Sequence, residues 1–262
     1  MRATIASSIA PPSPPTRDPT MKPLRALLLC LLALGAGPFA LAERPDADLA
    51  LDAQRKPEVL LELLALAPGQ RVLDLEAGGG YNTELLSEAV GAAGEVLMQN
   101  PPWLANRVAA RIATRLEGNR LPNVRALERN FDDLGLATGS VDRAAWIMGP
   151  HELWFHPSPE VSFGEPLAVF QELARVLKPG GRVLLVDHAA AADAPLAVGG
   201  TLHRISEGAV EALANAAGLT LRARSDALRN AADDRTGNVF DAVLRGQTDR
   251  FILVFEKPGA AD

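Results

Sequence analysis

From Leu49 onward the apolar positions alternate between two rhythms, one of helical period and one of short continuous runs. Leu60, Leu61, Leu63, Leu64 and Leu66 form the apolar face of a helix that Pro68-Gly69 ends. Residues 71–75 are a short run suited to a buried strand, and Gly78-Gly79-Gly80 follow it. Leu85, Leu86 and Val90 recur at helical spacing, and residues 96–98 predict a second strand. The pattern then predicts a helix over 103–116, strands over 124–127 and 141–148, and a helix over 167–177 stopped by Lys178-Pro179-Gly180-Gly181. Residues 183–186 predict the most deeply buried strand. A helix over 207–217 and two closing strands at 219–224 and 251–255 complete the series.

Strands separated by helices of this length imply right-handed βαβ units, hence an α/β fold built on a mostly parallel sheet. The last two strands have no evident helix between them, so an antiparallel pair with a long connection is expected. No internal repeat and no Pro- or Ser-rich linker divides residues 43–262, which read as one domain. A chain of 262 residues that is 48% hydrophobic has enough apolar surface for a substantial core.

The first 42 residues break the rhythm. Residues 1–20 are rich in Pro, Ser and Thr and read as a leader without a core of its own. Met21-Lys22-Pro23-Leu24-Arg25 then gives a short basic start, residues 27–34 are strongly apolar, and Ala40-Leu41-Ala42 closes with small residues. That is the pattern of a cleavable export signal over 21–42, and the apolar run is shorter than the roughly 20 residues of a membrane span. A periplasmic or secreted protein without stable membrane insertion is therefore expected. Cys30, the one cysteine, falls inside this segment, so the exported chain would carry neither disulfides nor thiol chemistry. The 26 basic residues against 32 acidic ones give a net charge of -6, and loss of the leader would make it more negative. This balance argues against nucleic acid as a partner, which requires clustered positive charge.

The strongest chemical motif is Val72-Leu73-Asp74-Leu75-Glu76-Ala77-Gly78-Gly79-Gly80-Tyr81. A strand ends, glycines let the backbone approach a ligand, and a helix begins. Thr83 stands where a dinucleotide-binding loop has its third glycine, so the pyrophosphate version fits poorly. The motif resembles that of the class I S-adenosylmethionine-dependent methyltransferases. The resemblance continues through Gly94-Glu95-Val96, Asn130-Phe131-Asp132-Asp133-Leu134 and Ser140-Val141-Asp142. It is most specific at Leu173-Ala174-Arg175-Val176-Leu177-Lys178-Pro179-Gly180-Gly181-Arg182. It implies a Rossmann-like, doubly wound, seven-stranded sheet with an antiparallel last strand. It also implies S-adenosylmethionine as cofactor, with Asp74, Glu76, Gly78, Gly80, Asn100 and Asp132 on its binding side. More narrowly, the chain resembles a bacterial group of exported methyltransferase-like proteins. The residues that carry this are Asp187-His188, Leu202-His203-Arg204-Ile205, residues 225–230 with Asp233-Asp234, Phe240-Asp241 and residues 245–251.

Two positions depart from the family pattern. Glu76 replaces a usual glycine, and Asn100 (or Gln99) replaces the acidic residue that ends the second strand and bonds the ribose hydroxyls. An amide lacks the charge that makes such bonds roughly twice as strong. The four histidines, His151, His156, His188 and His203, all lie in the second half. His188 and His151 follow strands whose loops face the methyl group in this fold, which makes them candidate proton acceptors. No tight ligand spacing supports a metal site, and none is expected. Trp103, Trp154 and Phe155 are candidate pocket residues, while Trp146 within a strand reads as core. The expected activity is methyl transfer to a small molecule. The rival is an exported binding protein that keeps the fold without the reaction.

Overall fold

The computed structural model describes residues 43–259; the leader and export signal expected over 1–42 lie outside the described residues. Seven strands form one sheet in the order β3-β2-β1-β4-β5-β7-β6. They are β1 (Arg71–Leu75), β2 (Glu95–Asn100), β3 (Val124–Glu128), β4 (Val141–Ile147), β5 (Leu177–His188), β6 (Thr220–Ser225) and β7 (Arg250–Glu256). The pairs from β3 through β5 are parallel, and β7 runs antiparallel to both β5 and β6. The helices are α1 (Asp46–Arg55), α2 (Pro57–Leu64), α3 (Tyr81–Val90), α4 (Pro102–Leu116), α5 (Pro166–Val176), α6 (Val198–Leu202) and α7 (Glu207–Ala216).

Strand pleating sends alternate residues to opposite faces. Leu73, Leu75, Leu97, Trp146, Leu185 and Leu253 join one core with α5 and α7, through Phe170, Leu173, Val210 and Ala214. Val72, Val96, Ala145, Leu184, Val186 and Val254 join the other with α2 and α3, through Leu60, Leu64, Leu86 and Val90. Burial on both faces is why the central strands read as unbroken apolar runs.

Helix α1, helix α6 and the 3-10 helix Pro150–Trp154 have no counterpart in the hydrophobic pattern. Helix α1 (DADLALDAQR) is half polar, and of its residues only Asp48 is buried. Helix α6 and the 3-10 helix Pro150–Trp154 are five residues each, too short to show a period. Helix α5 stops at Val176, just before the turn sequence 178–181 as expected, but β5 begins at Leu177 and takes that sequence in. The Gly180 N–H donates to the Lys257 carbonyl and the Lys257 N–H to the Gly181 carbonyl, so pairing extends through the turn sequence.

Strand order reverses between β1 and β4, the two central neighbours. In open α/β sheets the crevice beyond the carboxyl ends of such strands is where ligands bind.

Candidate functional site

A cavity of about 800 Å³ opens at this switch point, within the roughly 300–1,000 Å³ of small-molecule sites. Glu76 to Gly79 of the glycine loop, Ile147 at the end of β4, Met148 after it, and Arg250 at the start of β7 line it. Helices α1, α2 and α4 add Asp48, Arg55, Leu60, Leu104, Val108 and Arg111. Gly78 has φ +56, and a Cβ added there would meet nothing within 4 Å, so its bare backbone faces the opening. Gly80, at φ +85, caps α3; a Cβ there would fall 2.9 Å from the Met98 methyl. Both positions favour glycine, Gly78 through its positive φ and Gly80 through its φ and its packing against β2.

The loop is held from β2 by two carboxamides. Gln99 Oε1 accepts from the Glu76 N–H at 2.8 Å, while its Nε2 donates to the Arg129 carbonyl at 2.6 Å. Asn100 Oδ1 accepts from the Gly78 N–H at 2.8 Å and its Nδ2 donates to the Gly78 carbonyl at 3.1 Å. Each side chain both gives and takes a hydrogen bond, which a carboxylate cannot do. The departure from an acidic residue at this position thus has a structural reason. Asn100 is buried and spends its amide on the loop, outside the cavity lining. Asp74 is buried beneath the loop, where Thr83 Oγ1 donates to it at 2.5 Å, and burial raises its pKa to about 7. Asp132 is exposed, accepts from Asn130 and abuts Gly164, also outside the cavity lining.

Glu76 links the cavity to a second polar region. Its backbone has φ 56, the conformation for which the family's usual glycine is suited. Its carboxylate turns inward and accepts from Trp146 Nε1 at 2.9 Å. The path crosses Gly149, where a Cβ would fall 1.8 Å from Trp146 Nε1 and 2.3 Å from Glu76 Oε2. Burial first, then the nearby Glu152 charge, pushes the Glu76 carboxyl well above its ordinary range.

Beyond Glu76 the chain gathers three of its histidines. His151 Nδ1 lies 2.7 Å from Asp187 Oδ1, and the His151 backbone N–H donates to the other oxygen at 2.8 Å. His151 Nε2 lies 3.2 Å from Glu152 Oε1, and His203 Nδ1 lies 3.5 Å from the same oxygen. His188 is turned to Thr248, with Nδ1 2.7 Å from Oγ1, and its ring centre is 6.0 Å from that of His151. Burial disfavours the charge on His151, yet the Asp187 and Glu152 carboxylates outweigh it and raise its pKa to about 10. Burial pushes His188 far below its ordinary range, and the His151 charge adds to this. Neither ring titrates near neutrality, and neither lines the glycine-loop cavity. His156 stands apart on the surface.

The cluster draws on separate segments. His203 ends α6 at φ 54 and precedes Arg204, which is fully buried against Asp233 at 2.8 and 3.0 Å. Ile205 bridges to Ala189 at the end of β5. Gly199 and Gly200 let α6 lie on the 3-10 helix: Cβ atoms there would fall 2.7 Å from the His151 carbonyl and 2.3 Å from the Trp154 carbonyl. Although no ligand spacing along the chain marks them, His151, Glu152 and His203 each place one ligand atom within 4.8 Å of the others. The candidate pocket aromatics Trp103, Trp154 and Phe155 do not line the cavity and are partly buried against the hydrophobic core. Trp146 is fully buried in that core. Glu152, Arg55 and Arg250 carried no sequence signal, since each is made notable only by partners distant in the chain.

A family model for protein-L-isoaspartate(D-aspartate) O-methyltransferase matches residues 52–120. An uncharacterized methyltransferase (sll0829) of Synechocystis sp. is 31% identical over 134 residues, covering 51% of this chain and 54% of that protein. The chain spans about half the length of the curated relatives it matches. Among solved structures, a SAM-dependent methyltransferase from Aquifex aeolicus aligns with TM-score 0.56 at 22% identity, over 82% of this chain and 100% of the other. The [4+2]-cyclase SpnF aligns with TM-score 0.57 at 20% identity, over 79% and 82%.

Proposed function

We propose that this chain, whose fold is that of the class I S-adenosylmethionine-dependent methyltransferases, binds S-adenosylmethionine beside the glycine loop and transfers its methyl group to a small molecule. One observation carries the reading: the bare Gly78 backbone faces a cavity of about 800 Å³ at the β1/β4 switch point. The residues fit the group. Gly78 and Gly79 allow close approach, Leu104, Val108 and Ile147 offer apolar surface, and Arg55 and Arg250 bring two guanidinium groups that favour an anionic moiety. When bound, the cofactor supplies an electrophilic methyl on its sulfonium. The protein's part is to hold acceptor and methyl in line, which is worth several orders of magnitude when geometry is fixed. An acidic chain suits a small acceptor better than nucleic acid.

A second reading has a specific observation behind it. Asn100 is engaged by Gly78 and brings no charge to a ribose, which suits an exported binding protein that keeps the fold without transfer. A solved cyclase in the same fold illustrates that the architecture does not fix the reaction. Calorimetry with S-adenosylmethionine and S-adenosylhomocysteine decides first, and no binding at millimolar ligand overturns the methyltransferase reading. Binding without turnover across a panel of small hydroxy, amino and carboxylic acceptors favours the binding protein. Export belongs to the same proposal and to the resemblance to exported methyltransferase-like proteins. N-terminal sequencing of the secreted species should begin at Glu43, and recovery of the protein with residues 21–42 attached would overturn it.

A further inference from the structure

We propose that His151, Glu152 and His203 form a binding site for a divalent transition-metal ion of the zinc type. Glu152 Oε1 lies 3.2 Å from His151 Nε2 and 3.5 Å from His203 Nδ1. Two donors each about 2.0–2.2 Å from a tetrahedral zinc are about 3.4 Å apart, so both separations match edges of one coordination shell. All three ligand atoms fall within 4.8 Å of one another.

The surroundings prepare these atoms for a cation. Asp187 Oδ1 accepts from His151 Nδ1–H at 2.7 Å, which leaves Nε2, facing Glu152, as the ring atom that would give up its proton to bind a metal ion. A carboxylate behind a ligating imidazole is the usual outer support of such a site. Asp187 is itself held, by the backbone N–H groups of His151 and His188.

A hydrogen-bond account leaves an atom over. His203 is more than nine-tenths buried, and its Nδ1 has no hydrogen-bond partner among the described residues. Buried polar atoms are nearly always satisfied, and an orphan facing a carboxylate and a second imidazole calls for a shared cation. The ring is fixed between Phe155 and Phe240, at centroid distances of 4.8 and 4.7 Å. Two imidazoles and one carboxylate select zinc or a neighbouring transition metal over magnesium, which prefers oxygen alone. Three protein ligands leave a position for water or an acceptor atom.

The test uses the full chain stripped of metal. Zinc titrated by calorimetry should bind at one ion per chain with Kd of about 1 µM or tighter. Cobalt should give the intense visible absorption of a tetrahedral site. His203→Gln and Glu152→Gln should each weaken zinc by about 100-fold or more, and Asp187→Asn by about 10–100-fold. Far-ultraviolet circular dichroism and S-adenosylhomocysteine affinity should stay as in the parent for His203→Gln, since His203 lies outside the glycine-loop cavity. Absence of stoichiometric zinc binding, or equal zinc affinity in the folded His203→Gln and Glu152→Gln variants, would overturn the site.

Discussion

The glycine-loop cavity and the histidine cluster meet at Glu76 and are built in opposite ways. The loop is one continuous stretch between β1 and α3, and its special backbone conformations belong to its own residues: Glu76, Gly78 and Gly80 all have positive φ. The cluster has almost no local logic. His151 and Glu152 come from a five-residue 3-10 helix, Asp187 from the end of β5, and His203 from the end of α6. Long-range anchors hold it, chiefly the buried Arg204–Asp233 pair and the Ile205–Ala189 bridge. The loop's backbone conformation is thus set locally and clamped from β2, whereas the cluster depends on the segment between β6 and β7 staying docked.

The largest expected effect breaks that dependence. Arg204→Ala leaves Asp233 buried without its partner and should cost about 3–5 kcal/mol in urea unfolding. A loss under about 1 kcal/mol would show that the cluster does not rely on this anchor. Gly80→Val attacks the other region. It forces a branched side chain to φ +85 and against Met98. Stability should fall by about 1–3 kcal/mol or more, and S-adenosylhomocysteine binding should be lost in calorimetry while any zinc binding survives. Loss of both together would erase the distinction between the regions.

Asp74 gives a pH-dependent test beneath the loop. Its folded pKa, about 7, lies above the ordinary 3.8. The stability this shift contributes is fully present below pH 3.8 and is lost as pH rises through 7. Relative to Asp74→Asn, which does not titrate, the parent should therefore lose on the order of 2–4 kcal/mol between pH 4 and 8, at about 1.36 kcal/mol per unit. Parallel stability curves for the two proteins would contradict the burial argument. The smallest effect separates the two accounts of Asn100. A carboxylate keeps the bond from the Gly78 N–H but faces the Gly78 carbonyl with no proton to give. Asn100→Asp should cost about 1 kcal/mol and leave S-adenosylhomocysteine affinity unimproved. A tighter complex would restore the ribose role.

Much of the fold was legible because its signals are local. Every strand expected from the hydrophobic pattern is present, and Asp74, Gly78 and Gly80 sit in the predicted strand-to-helix turn. The Lys178–Gly181 segment marked the end of α5 but not that β5 already begins there, since pairing with Lys257 is a distant event. Side-chain partners were less legible than the elements that carry them. Asn100 and Asp132 occupy the expected segments but turn to protein partners, and the histidines assemble with Glu152, which no spacing singled out.

The sequence by itself determined the order of strands and helices and the glycine loop, because hydrophobic period and positive φ are properties of consecutive residues. The tertiary structure alone decided which amides clamp that loop and which carboxylates meet the histidines. Asp187 and His151 are 36 residues apart, and the 2.7 Å between them is set by how β4 and β5 pair and how the following loops pack. No pattern along the chain encodes that distance.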